Sequence, residues 1–128
     1  WLTENIALEA AVIPGTPEES EALGYLHANC GNCHGNRLAP SGLSMWVDVG
    51  LDTVEETATY LTAVDVPSLR VDGDATVRIV PGDSAQSVAF RRMQSREIGL
   101  QMPPIGTEFI DEDGSLTVQT WIDGLAAE

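Results

Sequence analysis

This sequence predicts an all-α domain with long loops and at most one short hairpin. Three observations carry that expectation. Four stretches follow a helix-starting signal, in most of them with apolar residues at helical spacing. The segments between them are rich in Pro, Gly and Asp, and strand-like alternation is confined to Val64–Val80. At 128 residues the chain is the size of one domain with one core, and no internal repeat or low-complexity tract divides residues 1–128.

Residues 1–15 read as an entry arm, apolar in places at Ile6, Ala7, Leu8, Val12 and Ile13 and ended by Pro14-Gly15. Thr16-Pro17-Glu18-Glu19 then starts a helix: Thr16 as N-cap, Pro17 at the first helical position, Glu19 closing a capping box. This helix is predicted to reach about Ala28, packing through Ala22, Leu26 and the Gly24-Tyr25 step. Asp52 is the expected cap of a second helix over about Thr53–Thr62, with Val54, Ala58 and Leu61 on one face. Asp72-Gly73-Asp74 suits the turn of a short hairpin within Val64–Val80. Pro81-Gly82-Asp83-Ser84 feeds a third helix over about Ala85–Gln94, with Arg91, Arg92 and Arg96 on and just beyond it. Residues 95–113, with Pro103-Pro104, read as loop. Ser115 is the expected cap of a last helix presenting Val118, Trp121, Ile122 and Leu125 at i, i+3, i+4 and i+7.

Where the first helix ends, the chain reads Cys30-Gly-Asn-Cys33-His34. Two thiols three positions apart can each add across one vinyl group of a haem, and the next imidazole can ligate the iron. This is the spacing of a c-type haem attachment site. His27, Cys30, Cys33 and His34 could also be counted as a zinc site, but adjacent Cys33 and His34 cannot easily reach two corners of one tetrahedron. A thioredoxin-like pair would sit near a βαβ pattern, and a Cys30–Cys33 disulfide would close too short a loop to stabilise much.

The iron's sixth ligand has four candidates: Met45, Met93, Met102 and His27. Met102 is preferred because Pro103-Pro104 stiffens the backbone that presents it. Met93 falls on a predicted helix, where a methionine usually fills core. His27 lies on the helix that leads into the proximal side.

Four pieces come in a telling order: Cys30-Gly-Asn-Cys33-His34, Arg78-Ile-Val-Pro81-Gly82-Asp83, Met102-Pro103-Pro104 and Leu116-Thr-Val-Gln-Thr-Trp121-Ile122. Over residues 17–125 the chain resembles class I-like mono-haem cytochrome c domains, most of all the compact ones embedded in large secreted bacterial proteins. The resemblance implies a cytochrome c-like fold whose N- and C-terminal helices cross beside one covalently bound haem c. It makes Cys30 and Cys33 the thioether ligands, His34 the proximal and Met102 the distal iron ligand. It would give Pro40, six residues after His34, the carbonyl that orients the imidazole. No motif fixes the propionate contacts, for which Arg78, Arg92 and Arg37 are the candidates. Trp46 and Trp121 are candidates to lie against the ring. The implied function is one-electron transfer to or from a periplasmic or extracellular redox enzyme or another carrier, with an oxidative polysaccharide-degrading system as one setting. The competing class is a haem peroxidase or gas sensor with a labile sixth ligand.

Composition narrows the partners. The formal charge is −14, from twenty acidic and six basic residues, and every basic residue is Arg. Nucleic acid and anionic membranes are therefore poor partners. No stretch of eighteen apolar residues offers a membrane span. Trp1 rather than Met at the start, with no basic-then-apolar segment, leads to the expectation of a processed protein or an excised domain. Haem attachment through CxxCH places it in the periplasm or outside a bacterial cell, and a transiently docking monomer is expected. For an acidic docking face, electron exchange with a small cationic reagent is expected to slow as ionic strength rises, and exchange with an anionic one to quicken. Stopped-flow rates across a salt series check this. An anionic reagent that reacts faster at low salt contradicts it and puts a local arginine patch at the reacting edge.

Overall fold

A computed structural model describes residues 12–35 and 41–126. They form a mainly helical domain: α1 (Pro17–Cys30), α2 (Ala58–Ala63), α3 (Val88–Gln94) and α4 (Glu112–Gly124), with one antiparallel hairpin of β1 (Pro67–Asp72) and β2 (Ala75–Val77). The expected helical class with a short hairpin is what the described residues show.

α1 starts where the sequence places it. The Glu19 N–H donates to the Thr16 hydroxyl (3.3 Å) and the Thr16 N–H donates to the Glu19 carboxylate (2.7 Å), completing the capping box. Ala22, Leu23 and Leu26 bury one side of α1 against Val118, Trp121 and Ile122 of α4 and the surrounding core. α1 and α4 form the most extensive contact between elements of this fold. At its near end the Tyr25 hydroxyl donates to the Asp111 carboxylate (3.0 Å), and a Cβ on Gly114 would collide with the Tyr25 ring. Burial, then the Asp111 carboxylate, push the Tyr25 phenol up from 10.0 to about 12. The neutral phenol is thus favoured in the folded state, so its contribution is full below pH 10 and is lost as pH rises toward 12.

That contact also moves the start of α4. Asp111 is the N-cap, accepting from the Gly114 N–H (2.9 Å), and Ser115 is buried within the first turns rather than capping them. Asp111 is bonded to Tyr25 at the same time, a tertiary constraint that selects it over the later Ser115.

The second predicted helix is broken. A 3-10 turn at Val54–Glu56 precedes α2, and buried Thr57 separates the two. The Thr57 hydroxyl donates to the Val54 carbonyl (2.6 Å) and accepts from the Tyr60 N–H (3.2 Å), so it caps a new helix instead of continuing the old one. The break rotates the phase: Val54 is buried, but Leu61 is 65% exposed and does not join the expected face. Asp52 does not cap; its N–H and that of Thr53 donate to the Glu56 carboxylate.

α3 likewise begins at Val88, after a 3-10 turn at Ser84–Gln86. The Ser87 hydroxyl donates to the Asp83 carbonyl (2.9 Å) and accepts from the Val80 N–H (2.8 Å), which holds Ser87 extended. The Pro81-Gly82-Asp83 turn is fastened to the end of α4: the Gly82 N–H donates to the Ile122 carbonyl (2.9 Å) and the Ser84 N–H to the Asp123 carboxylate (2.9 Å). Gly82 takes φ +75°, a conformation that favours glycine.

Gly114→Ala tests the close approach. Helix propensity alone would make alanine better by about 1 kcal/mol, whereas overpacking costs about 1–3 kcal/mol. The expected outcome in urea unfolding is a net loss of stability, relieved when Tyr25→Ala is added. A Gly114→Ala protein as stable as the parent contradicts the close approach.

Candidate functional site

The site is built from the C-terminal end of α1. Cys30 is its last residue, and the Cys30 carbonyl accepts from both the Cys33 N–H (3.1 Å) and the His34 N–H (2.8 Å). The chain therefore keeps turning after the helix ends, and Cys33 follows Cys30 by one turn on the same side. Both are free thiols, Cys30 half-buried and Cys33 exposed. Burial, and then the neighbouring Cys33, push the Cys30 thiol up to about 11, so it is neutral at physiological pH.

A second segment closes against this turn. The Met45 N–H donates to the His34 carbonyl (2.6 Å), and the Val47 N–H donates to His27 Nδ1 (3.0 Å). Gly31 permits the approach, because a Cβ there would lie 2.5 Å from the His27 carbonyl oxygen and 3.2 Å from that of Met45. Nothing in the CxxCH pattern signals this need for glycine; the segment that meets it lies more than ten residues away.

Cys30, Cys33, His34 and Met102 all line one largely apolar cavity of about 330 Å³. So do Arg78 and Arg92. Its floor and walls include Leu26 of α1, Leu43 and Met45, Val88, Ala89 and Met93 of α3, Leu69 of β1, and Pro103-Pro104. The wall from α3 shows helical spacing, Val88, Ala89, Arg92 and Met93, which became legible only with the helix start at Ser87.

His34 sits half-buried with its Nδ1 fully buried and without a hydrogen-bond partner among the described residues, which leaves Nε2 as the nitrogen free for a ligand bond. Burial, and then the Arg78 charge, hold its pKa below the usual 6.5, favouring the neutral imidazole that metals bind. Pro40, expected to orient this ring, and Arg37 lie outside the described residues.

The three methionines are not equivalent. Met45 and Met93 line the cavity but are buried members of the hydrophobic core. Met102 is half-buried at the cavity wall and lies outside that core cluster. Its N–H donates to the Arg92 carbonyl (2.9 Å), which ties the Met102-Pro103-Pro104 segment to the end of α3.

Other expected site residues fall elsewhere. Trp46, expected against the ring, does not line the cavity; it packs on His27, ring centroids 4.4 Å apart and tilted by 58°. The reason is alternation: along this extended segment Met45 faces in, and Trp46 faces the other way. Trp121 is buried in the core between α1 and α4, also away from the cavity lining. His27 has its Nδ1 engaged by Val47, and among the described residues no group of three or more His, Cys, Asp or Glu side chains could hold a metal ion. The zinc reading finds no support there. The three clustered arginines part company as well. Arg91 reaches the hairpin turn, donating to the Asp72 carbonyl (2.9 Å) and the Asp74 carboxylate (2.8 Å). Arg96 folds back on the Met93 and Ser95 carbonyls, and Arg92 alone faces the cavity.

Comparison with models of known families, with curated proteins and with solved structures gives no match to this chain. No helix among the described residues is long and apolar enough to cross a membrane.

Proposed function

We propose that this chain is a one-electron carrier holding a single covalent haem c. The observation that supports the reading most strongly is the convergence of Cys30, Cys33, His34 and Met102 on one apolar cavity, although Met102 is 68 residues further along the chain than His34. The donor set fits the group: two thiols one turn apart for thioether bonds, a neutral imidazole with Nε2 free, and a thioether outside the packed core. The resemblance to class I-like mono-haem cytochrome c domains points the same way.

In this reading Cys30 and Cys33 would hold the porphyrin through thioether bonds, and His34 and Met102 would supply the protein ligands to its iron. The bound haem would supply an Fe(III)/Fe(II) couple, made easier to reduce by the Met102 thioether than by a second imidazole. The chain's own contribution is to hold both axial side chains on rigid supports. Cys30's carbonyl and the Met45 segment fix His34, and the Arg92 carbonyl fixes Met102. The apolar walls would limit the solvent rearrangement that accompanies charge transfer at a bound haem. The partner is a redox enzyme or another carrier, docking transiently in a periplasmic or extracellular compartment, where CxxCH haem attachment belongs.

Met102→Ala, expressed with haem-attachment machinery, tests the ligand set. The parent should show a six-coordinate spectrum with a weak sulfur-to-iron band at the red end and no response of the reduced form to carbon monoxide. The variant should lose that band, fall in reduction potential and bind carbon monoxide. If Met45→Ala or Met93→Ala does this instead, Met102 is not the ligand. If the reduced parent already binds carbon monoxide, the labile-ligand reading of a peroxidase or gas sensor replaces electron transfer.

A further inference from the structure

The cavity reverses the charge pattern of the chain. Twenty of its residues are acidic and six are arginines, yet no Asp or Glu lines the cavity among the described residues, while Arg70, Arg78 and Arg92 do. Arg70 is exposed on β1, at the rim. The other two are buried, Arg78 8% and Arg92 7% exposed.

These two differ in their hydrogen bonding. Arg78 is largely satisfied by main chain: its Nη1 donates to the Thr62 carbonyl (2.6 Å) and the Gly42 carbonyl (3.2 Å), and its Nη2 to the Ser41 carbonyl (2.6 Å). Those bonds leave its Nε–H and one Nη2 hydrogen unused. No described residue accepts a hydrogen bond from the Arg92 guanidinium or pairs with its charge. Its nitrogens are not among the fully buried unpartnered atoms, so the guanidinium opens on the cavity, and a chain with so many carboxylates has placed none beside it there. The two arginines also adjoin. The Ala89 N–H donates to the Arg78 carbonyl (2.9 Å), and Arg92 follows Ala89 by three residues on the same face of α3.

We propose that Arg92, backed by Arg78, is the subsite that receives the carboxylate groups of the bound haem. The inference rests on the haem reading above and adds to it where the acid groups lie: against α3 and the residue that follows β2. Arg92 is then a two-sided positioning residue. Its guanidinium meets the cofactor's carboxylate, while its carbonyl holds the Met102 N–H.

The test uses the haem-loaded protein, with Arg92→Gln and Arg92→Lys beside the parent. Two readouts report the carboxylate directly: the resonance Raman bending mode of the haem carboxylates, which shifts with hydrogen bonding, and the pH dependence of the reduction potential. Besides Arg92, the charged or titratable groups lining the cavity among the described residues are His34, Arg70 and Arg78, with both cysteines consumed by thioether bonds in the haem-loaded protein. Removing the Arg92 charge should weaken the carboxylate's ionised form about tenfold, raising its pKa by about one unit. Arg92→Gln should therefore shift the Raman mode and move the pH-dependent step upward, and Arg92→Lys should recover part of both. A merely structural role would lower the melting temperature and leave both readouts in place, which overturns the proposal. A parent protein without covalent haem overturns the haem reading itself, and its missing Soret band shows this before any variant is compared.

Discussion

Everything at the site depends on how closely α1 and α4 approach. The absence of a side chain at Gly114 lets Tyr25 lie across the start of α4 and bond to Asp111. That contact fixes the axis of α1 at the point where Cys30 ends it. The turn after Cys30 inherits its direction from the helix, and with it the positions of both thiols and the His34 ring. A register change between the two helices would carry the cysteines away from α3 and from Met102. Gly31 does the same work at short range, bringing the Met45 segment within hydrogen-bonding distance of His34.

A second constraint is the separation of charge. A formal charge of −14 keeps carboxylates on the surface, and the interior of the cavity is left to apolar walls and two buried arginines. In the proposed haem reading, the apolar walls would meet the porphyrin and the arginines its acid groups. The same separation bears on docking. Arg91 is tied to Asp74, Arg96 to main-chain carbonyls and Arg92 to the cavity, so these three do not add up to one cationic surface patch.

Much of this was legible in the sequence where the signal is local. Thr16-Pro17-Glu18-Glu19 starts a helix by chemistry contained in four residues, and the structure retains each bond of the capping box. The Asp72-Gly73-Asp74 turn is equally local. The differences have two causes, a distant partner at the start of α4 and buried hydroxyls that bond nearby main chain at the two helix breaks. Asp111 displaces Ser115 as the cap of α4 because Tyr25 reaches it from 86 residues away. Thr57 and Ser87 break helices because each is buried where its hydroxyl can satisfy main chain. Once Thr57 resets the phase, Leu61 points outward although periodicity favoured it for the core. At the site, Cys30, Cys33, His34 and Met102 were named from motif and proline context, and the fold brings them together. Trp46 lies on the opposite side of its segment from Met45 and packs on His27, an alternation that no motif signals. Arg92 was already among the arginines named for the acid groups, and the start of α3 is what turns it toward the cavity and Arg91 away, since one residue turns a helical side chain by about 100°.

The central claim is that the two cysteines hold a haem. Intact-mass measurement of the denatured protein, made in a host able to attach haem and paired with metal analysis, tests it most directly. The account predicts one haem per chain that stays bound through acid-acetone extraction, with iron in equal amount. A bare polypeptide with both thiols free, or one holding stoichiometric zinc, would contradict it.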